Sequence, residues 1–197
     1  MSRDLTGSEQ KPWDSFYART MHLPSPELTK NFIDQLPSQA RVLDFGAGSG
    51  AWTAAFLRDR PDLMIDALDM NIDQAKALPE KFNGQKLQLH FQEYQGTSAS
   101  YDAIWARSVL FFMPPEERDA CFHELAKSLP ANGLLSFTMV DDGENASLAK
   151  FHGMSETSIL KMLDKEGLEL VSLARSAPPY GSRRIIIPTF DISARKK

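Results

Sequence analysis

The chain carries one cysteine, Cys121, among its 197 residues. A single thiol excludes an intramolecular disulfide and a thiolate zinc site. Cys121 lies in PEERDACFHELAKSL beside Phe122, so a half-buried helix cysteine is expected rather than a nucleophile. No apolar run reaches 18 residues, which argues against a membrane helix. The opening MSRDLTGSEQKPW lacks the apolar core of a signal peptide. Together these features lead to a cytoplasmic expectation. A net positive charge is also lacking: the formal net charge is -4 and the pI about 5.6. No global cationic field is available to draw in phosphate backbones or anionic lipid, although a local basic patch stays open. Internal repeats and low-complexity tracts are missing as well.

What remains is an ordinary globular composition, 42% hydrophobic and 24% charged. A chain of this length buries roughly 70% of its unfolded surface, enough for one substantial core. The first dozen residues are polar. The stretch 13–36 is helical in parts, broken by Pro24, Pro26 and Pro37. From Ala40 short apolar runs alternate with amphipathic helical stretches, the pattern of βα units around a parallel sheet. Seven strands are predicted: RVLDF, LMIDAL, KLQLHF, YDAIWA, LLSFTMV, LELVSLA and RRIIIPTFDIS. Helices are predicted over about 50–58, 71–81, 115–129 and 155–167. Pro114 and Pro115 open the third, and Gly167 closes the fourth. The last two strands are joined by RSAPPYGS, too short for a crossover helix, so they should pair antiparallel. The expected fold is therefore α/β and Rossmann-like. It has a seven-stranded, mostly parallel sheet, helices on both faces and a C-terminal antiparallel β-hairpin. Residues 1–39 form an N-terminal helical lid segment and 40–197 the domain proper, within one globular unit.

The stretch RVLDFGAGSGAW holds an acid, Asp44, near the end of an apolar strand. Gly46, Gly48 and Gly50 follow within five residues. A buried carboxylate needs a partner, and a glycine turn lets backbone pass close to a ligand. Sites for nicotinamide dinucleotides and for S-adenosylmethionine both use such an arrangement. GAGSGA satisfies the dinucleotide pattern, and Asp69 at the end of strand two suits a ribose. Asp44 two residues before the first glycine and the terminal hairpin weigh against a nicotinamide site.

With these features VLDFGAGSG resembles the first motif of the class I S-adenosylmethionine-dependent methyltransferases, over about 41–192. The resemblance implies S-adenosyl-L-methionine as methyl donor, with S-adenosyl-L-homocysteine as product. It places Gly46, Ala47 and Gly48 under the methionine part and gives Asp44 the task of organising the ammonium group. Asp69, rather than Asp66, accepts the ribose hydroxyls, and Met70 touches the adenine. Gln92, Glu93 and Tyr94 are candidates for adenine recognition. Ala106 and Arg107 line the methionine end and face the acceptor pocket. Arg107 either clamps an anionic acceptor or pairs with an acid such as Asp141 or Asp142. His22 and His152 are possible general bases, each weighed against a plain structural histidine.

The segment WDSFYARTMHLPSPEL is similar to the lid of small-molecule members of the tellurite-resistance or aconitate type. Trp13, Phe16 and Tyr17 have helical spacing, so a packing stripe competes with Tyr17 or Arg19 reaching the cofactor. The loop 141–154 is a further candidate lid, bordered by Tyr180 and Arg183 if the final hairpin folds back. The Asn/Asp-Pro-Pro-Tyr/Phe motif of adenine and glutamine methylating members is replaced by ARSV. Magnesium-dependent members need acids at the ends of strands four and five. Asp141 or Asp142 can fill only the second place, so no metal is expected. The implied function is methyl transfer to a small molecule, with no membrane and no nucleic acid as partner. A protein or RNA acceptor, resting on the RKK tail and Arg183-Arg184, and a non-catalytic cofactor-binding module remain as rivals.

Overall fold

In the computed structural model, the described residues are 26–48, 50–69, 81–82, 85–86, 90–92, 100–142, 151–176, 179–180, 185–186 and 188–197. They form one central sheet of strands β1 (Arg41–Phe45), β2 (Met64–Leu68), β3 (His90–Gln92), β4 (Ala103–Ala106), β5 (Leu134–Val140), β6 (Leu168–Ser176) and β7 (Thr189–Lys196). Their spatial order is β3-β2-β1-β4-β5-β7-β6. The pairs from β3 to β5 are all parallel. β7 inserts antiparallel between β5 and β6. The sheet is therefore mixed, with a Rossmann-like α/β core and an antiparallel C-terminal pair.

Two strands match their sequence expectation residue for residue. RVLDF is a short apolar run ended by glycine, and LLSFTMV is buried along its whole length. β3 is displaced toward its C-terminus. It runs over His90–Gln92, while Lys86 falls in a separate two-stranded pairing of Lys81–Phe82 with Gln85–Lys86. Lys81, the expected end of the second helix, is a strand residue, and the rest of that expectation, 71–80, lies outside the described residues. β7 starts at Thr189 rather than at Arg183. Ile185–Ile186 pairs instead with Pro179–Tyr180 in a small hairpin within the β6–β7 connection.

Four helices are described: α1 (Pro26–Ile33), α2 (Ala51–Asp59), α3 (Pro115–Lys127) and α4 (Glu156–Lys165). α3 begins where the missing proline N–H costs nothing, with Glu116 and Glu117 in its first turn and Lys127 in its last. It ends at Lys127, two residues before the expected Leu129. Cys121, Phe122 and Leu125 face inward from it, so the lone thiol is a core residue. In α4 the Ser155 hydroxyl caps the Ser158 N–H at 3.2 Å. Ile159, Met162 and Leu163 of α4 are buried at helical spacing, and Gly167 follows at φ +66.

The helices cover both faces. α3 and α4 pack with Leu43, Ile104, Leu135, Phe137 and Ile192 on one side. α1 and α2 pack with Val42, Ile65 and Trp105 on the other. There the Trp105 ring lies 4.8 Å from Phe32, 5.0 Å from Trp52 and 5.1 Å from Phe56. Phe32, Ile33 and Leu36 are buried in this cluster, so the described part of the segment 1–39 belongs to the domain core. Truncating a ring such as Phe56 to alanine there costs about 3–5 kcal/mol.

Candidate functional site

The C-terminal ends of four parallel strands emerge on one edge of the sheet. The registers align Phe45 with Leu68, Leu68 with Gln92 and Asp44 with Trp105. β1 sits where the strand order reverses, between β2 and β4, the place where open α/β sheets bind ligands. The glycine turn, Asp69, Gln92, Ala106 and Arg107 all leave the sheet at this edge.

The turn is stitched to the neighbouring strand. The Gly46 and Ala47 N–H groups both donate to the Leu68 carbonyl, at 2.8 and 3.0 Å. The Gly48 N–H donates to Asp69 Oδ2 at 2.7 Å. Gly46, Gly48 and Gly50 adopt φ of +75, +54 and +73. Three left-handed residues in five are what the glycines make possible. At Gly46 the reason is also steric, and it differs from the expected one. A Cβ there would meet the Cβ and Cγ2 of Val109 at 2.7 Å each. The space above Gly46 is taken by a side chain from the turn after β4.

Asp44 is 1% exposed and accepts the Thr53 hydroxyl at 2.5 Å. Burial pushes its carboxyl up to about 7; the Thr53 hydrogen bond opposes that shift and nearby Asp69 adds to it. Thr53 is a residue that the motif does not point to, apart from its hydroxyl in the first turn of the helix after the glycines. Asp66 lies elsewhere. It accepts Arg41 Nη2 at 2.6 Å and the Tyr101 hydroxyl at 3.1 Å near the opposite ends of the strands. The Tyr101 hydroxyl is raised to about 12, by burial first and the Asp66 charge second.

Arg107 pairs with an acid, as one of its two readings held, and that acid is Asp191. Its Nη2 stands 2.8 Å from Asp191 Oδ1 on β7, and its guanidinium lies 5.0 Å over the Trp105 ring. The side chain is 7% exposed. The guanidinium is thus held in a buried ion pair that reaches across to β7. Asp141 is bound instead by Arg175, whose Nε is 2.7 Å from Asp141 Oδ2, and Asp142 is exposed. Among the described residues no three His, Cys, Asp or Glu side chains are grouped to hold a metal.

Ala106 ends β4, fully buried. The His152 N–H donates to the Phe111 carbonyl at 2.7 Å, which seats the end of the 141–154 loop against the turn after β4. Phe112 and Phe151, both half-buried, stand 5.3 Å apart there, with Val109 and Met113 beside them. Tyr17, Met70, Glu93 and Tyr94 lie outside the described residues, as do Trp13, Phe16, Arg19, His22 and Arg183. For Gln92 and Tyr180 only the backbone is described.

A buried acid behind a glycine turn, a second acid bound to that turn and the reversed strand order point one way. Residues 42–133 match the family model described as "Methyltransferase domain". Over this stretch, just under half of the chain, the protein is similar to a methyltransferase domain. It is similar to methyltransferase str2 of Strobilurus tenacellus, 35% identical over 74 residues, which is 38% of this chain and 26% of that protein. It is also similar to ribosomal RNA small subunit methyltransferase C of Shewanella denitrificans, 26% identical over 170 residues, which is 84% of this chain and 40% of that one. The chain thus spans well under half the length of these curated relatives. Among solved structures, the magnesium protoporphyrin IX methyltransferase of Synechocystis PCC 6803 with bound SAH shares the fold. Its TM-score is 0.73 at 14% identity, covering 97% of this chain and 95% of that one. No helix among the described residues is long and apolar enough to cross a membrane.

The residues present fit the donor of the family. Asp44 and Asp69 stand at the ends of adjacent strands, beside the glycine turn. One carboxylate suits an ammonium group, the other a pair of ribose hydroxyls.

Proposed function

We propose that this chain transfers a methyl group from S-adenosylmethionine to a small-molecule acceptor. The observation that carries the reading is the 2.7 Å hydrogen bond from the Gly48 N–H to Asp69, which ties the glycine turn to the acid closing β2. When bound, S-adenosylmethionine supplies a sulfonium methyl already activated for in-line displacement. Gly46, Ala47 and Gly48 keep the turn low beneath the amino-acid end. Asp44 holds negative charge behind it, and Asp69 accepts from the ribose. Gln92, which ends β3, and Glu93 and Tyr94 after it border the adenine, with Met70. Ala106 and the turn after it close the methionine end. The protein's remaining task is alignment and exclusion of water.

The acceptor wall is apolar. Val109, Phe112, Met113 and Phe151 line the turn after β4, and Arg107 is committed to Asp191. These features favour an acceptor with an apolar body over an anionic one. An intrinsically nucleophilic atom needs no strong base. His152, whose N–H meets the Phe111 carbonyl beside that turn, is the candidate base for one that does. Residues 1–25 and the loop 141–154 are the segments proposed to close over it.

The similarity to a ribosomal RNA methyltransferase supports an RNA acceptor as the second reading. The basic tail gives it little help. Arg195 donates to the Asn132 carbonyl, Lys196 to the Glu166 carbonyl, and Lys197 lies 3.3 Å from Asp164.

Calorimetric titration with S-adenosylmethionine, S-adenosylhomocysteine and NADH tests the reading. The adenosyl sulfur compounds should bind and NADH should not. Asp69→Ala should weaken them at least tenfold, a loss of about 1.4 kcal/mol. Binding of NADH alone would overturn the proposal. Turnover on small aromatic alcohols or thiols, against none on a ribosomal RNA fragment, separates the two acceptor classes.

A further inference from the structure

We infer that Asp191, on the last strand, is a positioning residue for the methyl-donor site, acting through Arg107 on the turn after β4. The inference rests on the donor site proposed above. Asp191 lies two strands away from β4 in the sheet, with β5 between. Both of its oxygens are engaged. Oδ1 takes Arg107 Nη2 at 2.8 Å, and Oδ2 accepts the Ser176 hydroxyl of β6 at 2.9 Å. Arg107 Nη1 also reaches the Phe137 carbonyl of β5 at 3.4 Å. The guanidinium is therefore located by β5, β7 and the Trp105 ring together.

The two residues after Arg107 give this anchor its consequence. Ser108 has φ +54, a left-handed backbone that a side-chain-bearing residue seldom adopts. Val109 comes next and packs against the glycine turn where a Cβ on Gly46 would stand. The turn thus runs from an ionic anchor, through a strained residue, to a steric seat on the cofactor loop. Strained residues persist where their surroundings over-determine them. Here the surroundings are two fixed points on opposite sides: Asp191 holds one end and Gly46 the other. Releasing Arg107 lets Ser108 relax, and Val109 then leaves the turn it covers. A buried ion pair adds little net stability, since desolvation offsets most of the attraction. Its directional hydrogen bonding is what a simple apolar contact would not supply.

The test measures S-adenosylhomocysteine affinity by calorimetry, well below the unliganded melting temperature of each variant. Asp191→Asn removes the charge and keeps the shape. Arg107→Met with Asp191→Leu removes both charges, so no unpaired ion is left to prevent folding. Asp66→Asn is the control. It breaks the Arg41–Asp66–Tyr101 cluster, away from the donor site. Both Asp191 variants should bind at least tenfold more weakly, while Asp66→Asn stays within twofold of wild type. The inference fails if the double variant folds and binds within twofold of wild type. It also fails if Asp66→Asn weakens binding as much, because loss of stability alone would then account for the effect. Failure of the donor-site reading is distinct, since it shows as absence of binding to the wild-type protein, and the inference falls with it.

Discussion

Val109 occupies the space that a side chain on Gly46 would need. The two residues are far apart in the chain, yet a Cβ on Gly46 would lie 2.7 Å from the Cβ of Val109. Gly46→Ala therefore combines a clash with an unfavourable φ of +75. The expected cost is roughly 2–4 kcal/mol. Adding Val109→Ala should recover only part of it, because the Val109 Cβ is itself in the clash. Urea unfolding of both single variants and the double variant gives the coupling directly. Complete recovery would mean that the γ-methyls alone set the contact.

Asp44 makes stability depend on pH in an unusual direction for an aspartate. In an unfolded chain the carboxyl titrates near 3.9. In the folded chain burial raises it to about 7. The protonated form is the one that folding favours. The contribution is complete below about pH 4 and is lost as pH rises toward 7. It amounts to about 1.4 kcal/mol per pH unit across that window, on the order of 4 kcal/mol in all. Asp44→Asn cannot ionise. Its stability, minus that of wild type, should therefore rise between pH 4.5 and 8. Denaturant melts at both ends check this. A difference that stays flat with pH would contradict the buried, raised carboxyl.

The parts of the fold that were readable were those with a local cause. RVLDF ends in glycines, and Asp69 closes an apolar strand one βα unit later. Both the turn and its second acid follow from spacing. What escaped was determined across the sheet. Asp191 pairs with Arg107 from a strand 84 positions onward, and no periodicity links them. Val109 reads as one more apolar residue in RSVLFF until the turn after β4 is laid on Gly46. The last strand was expected from Arg183 because Ile185 and Ile186 look like a strand. They do form one, but in a separate hairpin, and Pro188 separates them from β7.

Asp141 is one of the two acids that could fill the β5 place of a magnesium site, and Arg175 already binds it. Chelation should therefore leave both cofactor binding and turnover unchanged. The measurement is methyl transfer with EDTA against added magnesium. A clear requirement for the metal would show that the Asp141–Arg175 pair opens in the working enzyme. Arg175→Met should then lower the magnesium concentration required.

The same carboxyl that weakens the fold at high pH should announce cofactor binding. Near pH 7 Asp44 stands about half ionised. The proposed site brings an ammonium group toward it. An opposite charge close by favours the carboxylate, so the proton still held should leave as the ligand enters. At pH 7 up to about half a proton is released per molecule of S-adenosylhomocysteine bound. The released proton is taken up by the buffer, so the observed binding enthalpy should differ between phosphate and Tris. Asp44→Asn has no proton to release, and its enthalpy should be the same in both buffers apart from small contributions of other groups. The sign is decisive. Proton uptake by wild type, or an equal buffer dependence in Asp44→Asn, would mean that Asp44 does not face the amino group and serves only to anchor Thr53 and α2.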